Sequence, residues 1–308
     1  MESPRLPRFD RSQEVAAIHL EDRDIDILRF IHRHRFLRSS HIAELIGGSR
    51  QQILRRLQLL FHHGYLERPR AQIDYYHNGG TREIVYGLGN KGETWLAREL
   101  GIVSQKLRCG EKNRAVRRMF LEHALMVSDI IVAIELACRK SGSVRLLMDD
   151  ALPRNGSETP PRDRLFRWKV NIPGKGKIGV IPDRVFALER SDESGQRDLA
   201  YFFLEADRGT MPVIRRDLSQ TSMHRKFLAY EATWSQSIHR TQFGFHRFRV
   251  LTVTNSAARL ETLVEACSQL ERGHGLFLFA DRSVLQKEDI LSALWRTAKH
   301  SETGSLLN

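Results

Sequence analysis

The chain has 308 residues, with 49 Lys+Arg against 37 Asp+Glu and a formal net charge of +12. That length excludes a single small scaffold, and the basic balance points to polyanionic partners. With 41% hydrophobic and 28% charged residues and nine prolines, the composition excludes a disordered or collagen-like chain, and residues 124–138, the most apolar run, are broken by Ser128, Asp129 and Glu135, so no membrane span is expected.

Taken in chain order, residues 1–22 carry Pro4 and Pro7, lack an apolar signal region and are expected to be a flexible N-terminus. Between Ile27 and Arg70 there are nine arginines against Glu44 and Glu67, a net +7, so the basic charge is concentrated here. The apolar spacing predicts helices over 24–34, 40–46 and 49–63, with Gly47-Gly48 breaking the last two apart and Ser49 with Gln52 forming a capping box. In the third helix Ile53, Leu54, Leu57, Leu60 and Phe61 share one face. Gln51, Gln52, Arg55 and His62 project roughly opposite, with Arg56 at the edge. A glutamine can pair bidentately with adenine and an arginine with guanine, so this face suits the major groove of duplex DNA. The bland alternative is the solvated face of an ordinary helical bundle.

Residues 64–68 and 84–88 read as two short strands around a polar loop containing Pro69, Asn78, Gly79 and Gly80. A hairpin after a recognition helix is a wing, and residues 91–100 would close the domain as a helix. The expected DNA contacts are Ser49, Arg50, Gln51, Gln52, Arg55, Arg56, Arg68, Arg70 and Arg82. His32-Arg33-His34 and Tyr75-Tyr76-His77 raise a tyrosine-relaxase alternative, which fits poorly because Arg33 is charged and its surroundings read as helical.

Residues 106–118 form a basic connector, and residues 120–139 predict a long, largely buried helix. The Pro-, Gly- and Arg-rich run 152–176, with Pro160-Pro161, reads as an irregular excursion. Strands are expected at 177–188, 199–207, 247–253 and 276–280, and helices at 213–235 and 256–272. Glu205 and Asp207, two apart on a strand, face one side and can converge with Asp183 from a neighbouring strand. Three such carboxylates would suit magnesium or manganese, which could polarise a phosphate and activate water. The competing reading is that Asp183 starts a strand while Glu205 and Asp207 pair with arginines such as Arg184 and Arg208. Cys109, Cys138 and Cys267 show no metal-ligand spacing and fit a reducing cytoplasm.

Pro182-Asp183 followed by Glu205-x-Asp207 resembles the PD-(D/E)xK nuclease superfamily, the restriction-endonuclease fold. The resemblance implies catalytic roles for Asp183, Glu205 and Asp207, with the three carboxylates as metal ligands. Asp207 departs from it, because lysine belongs there; Lys226 on the following helix could supply that charge, and Arg208 less well, since adjacent strand residues face opposite sides. The chain as a whole, with Tyr86-x-Leu88, Lys91-Gly92 and Glu205-x-Asp207-Arg208-Gly209-Thr210, resembles the replication-relaxation family of plasmids and mobile elements over about residues 25–253. The expectation is an α+β protein: a winged helix-turn-helix domain over 23–105, the connector, a restriction-endonuclease-like mixed α/β domain over 119–300, and a tail over 301–308. It would be a cytoplasmic, sequence-specific binder of double-stranded DNA, with a homodimer and other replication or mobilisation proteins as further partners. The enzymatic version is a magnesium-dependent endonuclease or nickase; the alternative is a transcriptional regulator whose second domain is an inactive dimerisation or sensing module.

Overall fold

Helix α1 (Asp22–His34) begins where Glu21 and Asp24 cap one another's backbone N–H groups, and it buries Ile27, Leu28 and Ile31 completely. The computed structural model describes residues 7–12, 14–73, 83–102, 109–149, 151–152, 166–174, 176–191, 197–216, 220–299 and 302–307. The chain divides into two compact units, Met1–Val132 and Ala133–Asn308, and among the described residues it is a mixed α+β protein with nine α-helices.

In the first unit α1 is followed by β1 (Phe36–Arg38), α2 (Ser39–Ile46), α3 (Arg50–His62), β2 (Leu66–Glu67), β3 (Val85–Leu88), α4 (Asn90–Leu100) and α5 (Cys109–Arg114). The strands form an antiparallel sheet in the order β1-β3-β2. The buried Gln72 carboxamide donates to the Val85 carbonyl and accepts from the Val85 N–H, completing the ladder where β2 is too short to reach. Gly47 (φ 75°, ψ 173°) ends α2 in a conformation open essentially to glycine alone, which sets the break before α3. Helix α6 (Arg118–Ser141) crosses the division between the units. Its Leu121 and Leu125 pack with Phe36 and Val85, and its Ser128 hydroxyl donates to the Phe36 carbonyl.

The second unit continues with β4 (Val144–Met148), β5 (Trp168–Ile172), β6 (Gly176–Val180), β7 (Arg184–Ser191), β8 (Arg197–Asp207), α7 (Met223–Ser235), α8 (Ile238–Thr241), β9 (Phe248–Thr254), α9 (Ala257–Ser268), β10 (Phe277–Asp281), β11 (Trp295–Thr297) and β12 (Thr303–Gly304). Seven of these strands form one sheet, β12-β11-β10-β9-β8-β7-β4. Pairing is parallel across β8-β9-β10 and antiparallel elsewhere. Strand β8 lies inside the sheet, between β9 and β7, and its residues from Tyr201 to Asp207 are buried on both faces. An aromatic core of Trp168, Phe203, Phe227, Tyr230, Phe243, Phe245 and Phe277 fills one side.

Three local expectations change here. The excursion over 152–176 holds a strand, β5, whose Trp-Lys-Val-Asn-Ile alternation is buried at every other position and which pairs with β6 as a separate two-stranded sheet. The strand expected over 177–188 is two strands, because residues 181–183, with Pro182 unable to donate a ladder hydrogen bond, break it. The helix expected over 213–235 begins only at Met223, where Ser222 Oγ accepts the Arg225 N–H.

Candidate functional site

Helix α3 starts at Ser49, whose Oγ accepts the Gln52 N–H at 3.4 Å. The reciprocal half of the capping box is replaced: Gln52 Oε1 accepts from Arg23 Nη1 at 3.3 Å. Ile53, Leu57, Leu60 and Phe61 are buried, which turns Ser49, Arg50, Gln51, Gln52, Leu54 and Arg55 outward. Leu54 is 39% exposed, on the polar side rather than in the core. Arg50 reaches Glu83 at 3.5 Å, and Ser40 Oγ donates to the same carboxylate at 2.5 Å.

The remaining arginines expected at this surface divide by their partners. Arg56 grips the fully buried Asp24 with Nε at 3.0 Å and with Nη2, and also donates to the His19 carbonyl at 2.8 Å. Arg68 is 4% exposed; its guanidinium lies 4.1 Å from the Phe61 ring centroid and donates to the Tyr86 hydroxyl at 3.1 Å and to the Arg8 carbonyl. These two side chains hold the unit together from inside. Arg70 is half exposed and pairs with Asp10 at 2.8 Å. Arg82 lies outside the described residues, as do Tyr75, Tyr76 and His77; His34 is buried at the end of α1.

In the second unit Asp183, Glu205, Asp207 and Lys226 share one electrostatic neighbourhood. Asp183, just before β7, accepts the Ala206 N–H of β8 at 2.8 Å. Glu205 is 2% exposed, with Oε2 at 2.5 Å from Lys226 Nζ and Oε1 accepting the Tyr230 hydroxyl at 2.5 Å. Asp207 is gripped by Arg259 of α9, Nε to Oδ2 at 2.8 Å and Nη2 to Oδ1 at 3.2 Å, and accepts from Thr254 Oγ1 at 2.9 Å and the Gly209 N–H at 3.2 Å. Burial pushes the Glu205 carboxyl up and the Tyr230 hydroxyl well up. Burial pulls Lys226 down, but the charges of Glu205, Asp183 and Asp207 outweigh it and raise the ammonium overall.

Lys226 is therefore the cation that Glu205 faces, as Arg259 is for Asp207. Both oxygens of Glu205 and both of Asp207 already have protein donors, and Asp183 Oδ2 has a backbone one. Among the described residues no group of three or more His, Cys, Asp or Glu side chains has the arrangement to hold a metal. As arranged, the three carboxylates do not fit magnesium or manganese, which would have to displace a lysine or an arginine from a buried ion pair.

The pairing partners are not those suggested by adjacency: Arg184 reaches Asp149 at 3.4 Å, and Asp207 takes Arg259 from 52 residues away. Sequence reasoning missed Tyr230 and Arg259. Tyr230 lies four residues after Lys226, one helical turn on the same face, which is a usable signal; Arg259 reaches Asp207 only because β9 returns beside β8 and α9 follows it. Several motif residues are explained by packing. A Cβ on Gly92 would meet the Tyr65 carbonyl oxygen at 2.3 Å, and Tyr86 closes over Arg68.

A family model described as replication-relaxation matches residues 28–247, more than two thirds of the chain. No curated protein and no solved structure matches. Among the described residues no helix is long and apolar enough to cross a membrane.

Proposed function

The chain belongs to the replication-relaxation family, and from that premise we propose that it is a sequence-specific binder of double-stranded DNA, acting in the cytoplasm in replication, relaxation or mobilisation of a mobile element. The observation that carries the reading is the outward face of α3, where Arg50, Gln51 and Arg55 project beside a capped N-terminus while the opposite face is buried. Helix, strand, helix, helix and two further strands in the order β1-β3-β2 support a winged-helix reader. In the second unit, helix, strands, helix, strand with Pro182-Asp183 before β7 and Glu205-x-Asp207 on β8 supports a nuclease-like domain.

A second reading, a transcriptional regulator whose second unit is an inactive dimerisation or sensing module, is favoured by the ion pairs that occupy Glu205 and Asp207. One titration separates the two. Wild type and an Arg50→Ala, Gln51→Ala, Arg55→Ala triple variant are run by electrophoresis against element-derived duplexes and supercoiled plasmid, with and without magnesium or manganese. Wild type should bind with log affinity falling linearly in log salt, and the triple variant should lose its preference among duplexes. Metal-dependent nicking or relaxation lost on Asp183→Asn supports the nuclease-like domain; binding with plasmid left supercoiled supports the regulator. If the triple variant binds every duplex as wild type does, α3 is not the reader.

A further inference from the structure

The hairpin β5–β6 has two unlike faces. Trp168, Val170, Ile172, Ile178 and Val180 point into the core of the second unit, while Arg167, Lys169, Asn171, Lys177 and Gly179 point outward. The register sets Lys169 opposite Gly179 and Asn171 opposite Lys177, so the lysines stand diagonally on a surface kept low by glycine. A Cβ at Gly179 would touch nothing within 4 Å, so its backbone faces open space. No described carboxylate pairs with Arg167, Lys169 or Lys177. Between Arg162 and Lys177 the sequence has six basic residues (Arg162, Arg164, Arg167, Lys169, Lys175, Lys177) against Asp163, a net +5. Of these, Arg167, Lys169 and Lys177 are described, and they put three positive charges without a described carboxylate partner on the outer face of one hairpin, a field that favours a polyanion there.

The hairpin is firmly held. Trp168 Nε1 donates to Thr233 Oγ1 at 2.8 Å, and Gln236, just past the end of α7, donates to the Asn171 carbonyl at 2.6 Å. Helix α7 also carries Lys226 and Tyr230, and the chain leaves β6 through Ile181, 55% exposed, directly into Pro182-Asp183. The basic face is thus part of the same framework as the carboxylate cluster.

We infer that the outer face of β5–β6 is a second DNA contact, carried by the second unit and made to the duplex phosphate backbone through Arg167, Lys169 and Lys177. It rests on the reading that this chain binds DNA, but it needs no contribution from α3. Three phosphate contacts should account for about 2.7 of the slope of log affinity against log salt, at about 0.9 per contact on duplex DNA.

The test uses the full chain with Arg167→Gln, Lys169→Gln and Lys177→Gln combined, beside a Lys169→Arg, Lys177→Arg variant that keeps the charge. The glutamine variant should melt with wild type, lose slope by about 2 to 3, and bind all duplexes more weakly by a common factor, keeping its sequence preference. The arginine variant should behave as wild type. An unchanged slope and affinity in the glutamine variant, with wild type still binding through α3, overturns this inference and leaves the proposed function standing. Loss of slope from the hairpin with no effect of the α3 variant supports the inference and removes α3. Absence of DNA binding by wild type overturns both.

Discussion

Arg56 and Arg55 are neighbours in sequence, and the structure assigns them opposite work, so replacing each by alanine should give opposite results. Arg56 is mostly covered, and the Asp24 it grips is fully buried. Its hydrogen bond to Asp24 is the main reason its guanidinium is held above the ordinary arginine value. Deleting Arg56 leaves the Asp24 carboxylate with the Glu21 N–H, at 3.0 Å, and no cation in reach among the described residues. Breaking a buried pair from one side costs roughly 3 kcal/mol or more. In a unit of this size, that corresponds to a fall in melting temperature of about 12 °C or more, at roughly 4 °C per kcal/mol. Arg55 is exposed, so Arg55→Ala should change stability by less than about 0.5 kcal/mol while weakening DNA binding by about 1 to 3 kcal/mol at sites where it reads a base. Circular dichroism melts paired with DNA titration at a temperature where both variants are folded would measure the two effects separately. Combining Arg56→Ala with Asp24→Asn should recover part of the lost stability, because the uncompensated charge is then gone. If Arg56→Ala melts with wild type and loses as much DNA affinity as Arg55→Ala, the ion pair has been misread and Arg56 belongs to the interface.

Arg259→Ala should destabilise the second unit by about 3 kcal/mol, since Asp207 is nearly fully buried and loses a bidentate partner; Asp207→Lys, which restores the motif lysine, should also destabilise it by setting two buried cations together, and a stable, nicking-active Asp207→Lys protein would contradict this. Lys226→Met should leave Glu205 without its cation, so manganese should raise the melting temperature of the variant and not of wild type; a millimolar manganese shift in wild type would show that the cluster opens for metal. The first unit should weaken in acid. Burial and the Arg38 charge hold His41 down, from an ordinary 6.5 to about 3, although Asp129 lies 3.3 Å from its Nε2, because that carboxylate is already matched by Arg38. The imidazole is neutral when folded and gains a proton when unfolded, so its contribution is complete above pH 6.5 and falls as pH drops, by about 2 kcal/mol at pH 5. His62, lowered by burial and accepting the Ser12 N–H, acts in the same direction. Urea midpoints that do not move between pH 7 and pH 5, or that move equally in His41→Gln, would refute this.

The amino-acid sequence by itself determined the helices and turns whose causes are local. Ser49 caps α3, Gly47 ends α2, and the apolar spacing of Ile53, Leu57 and Leu60 orients the helix, because capping, left-handed backbone and helical periodicity act within a few residues. Strand alternation also set Glu205 and Asp207 on one side of a strand with Asp183 able to approach from a neighbour, while Lys226 entered only through the resemblance to the nuclease superfamily. What the tertiary structure decided is which charge meets which. Arg55 and Arg56 differ by one position, and only the packing of α1 against α3 turns the second onto Asp24. Asp207 could have faced Arg208, a metal or a phosphate; the parallel pairing of β8 with β9 brings Arg259 to it instead. Strand β5 was hidden because its alternation sits in a Pro- and Gly-rich run, and the hydrophobic reason for its inner face, the core around Phe203 and Tyr230, comes from residues more than thirty positions away. Ion pairs and sheet neighbours are set by distances through space, and a linear pattern carries those only where the chain returns to itself within a few residues.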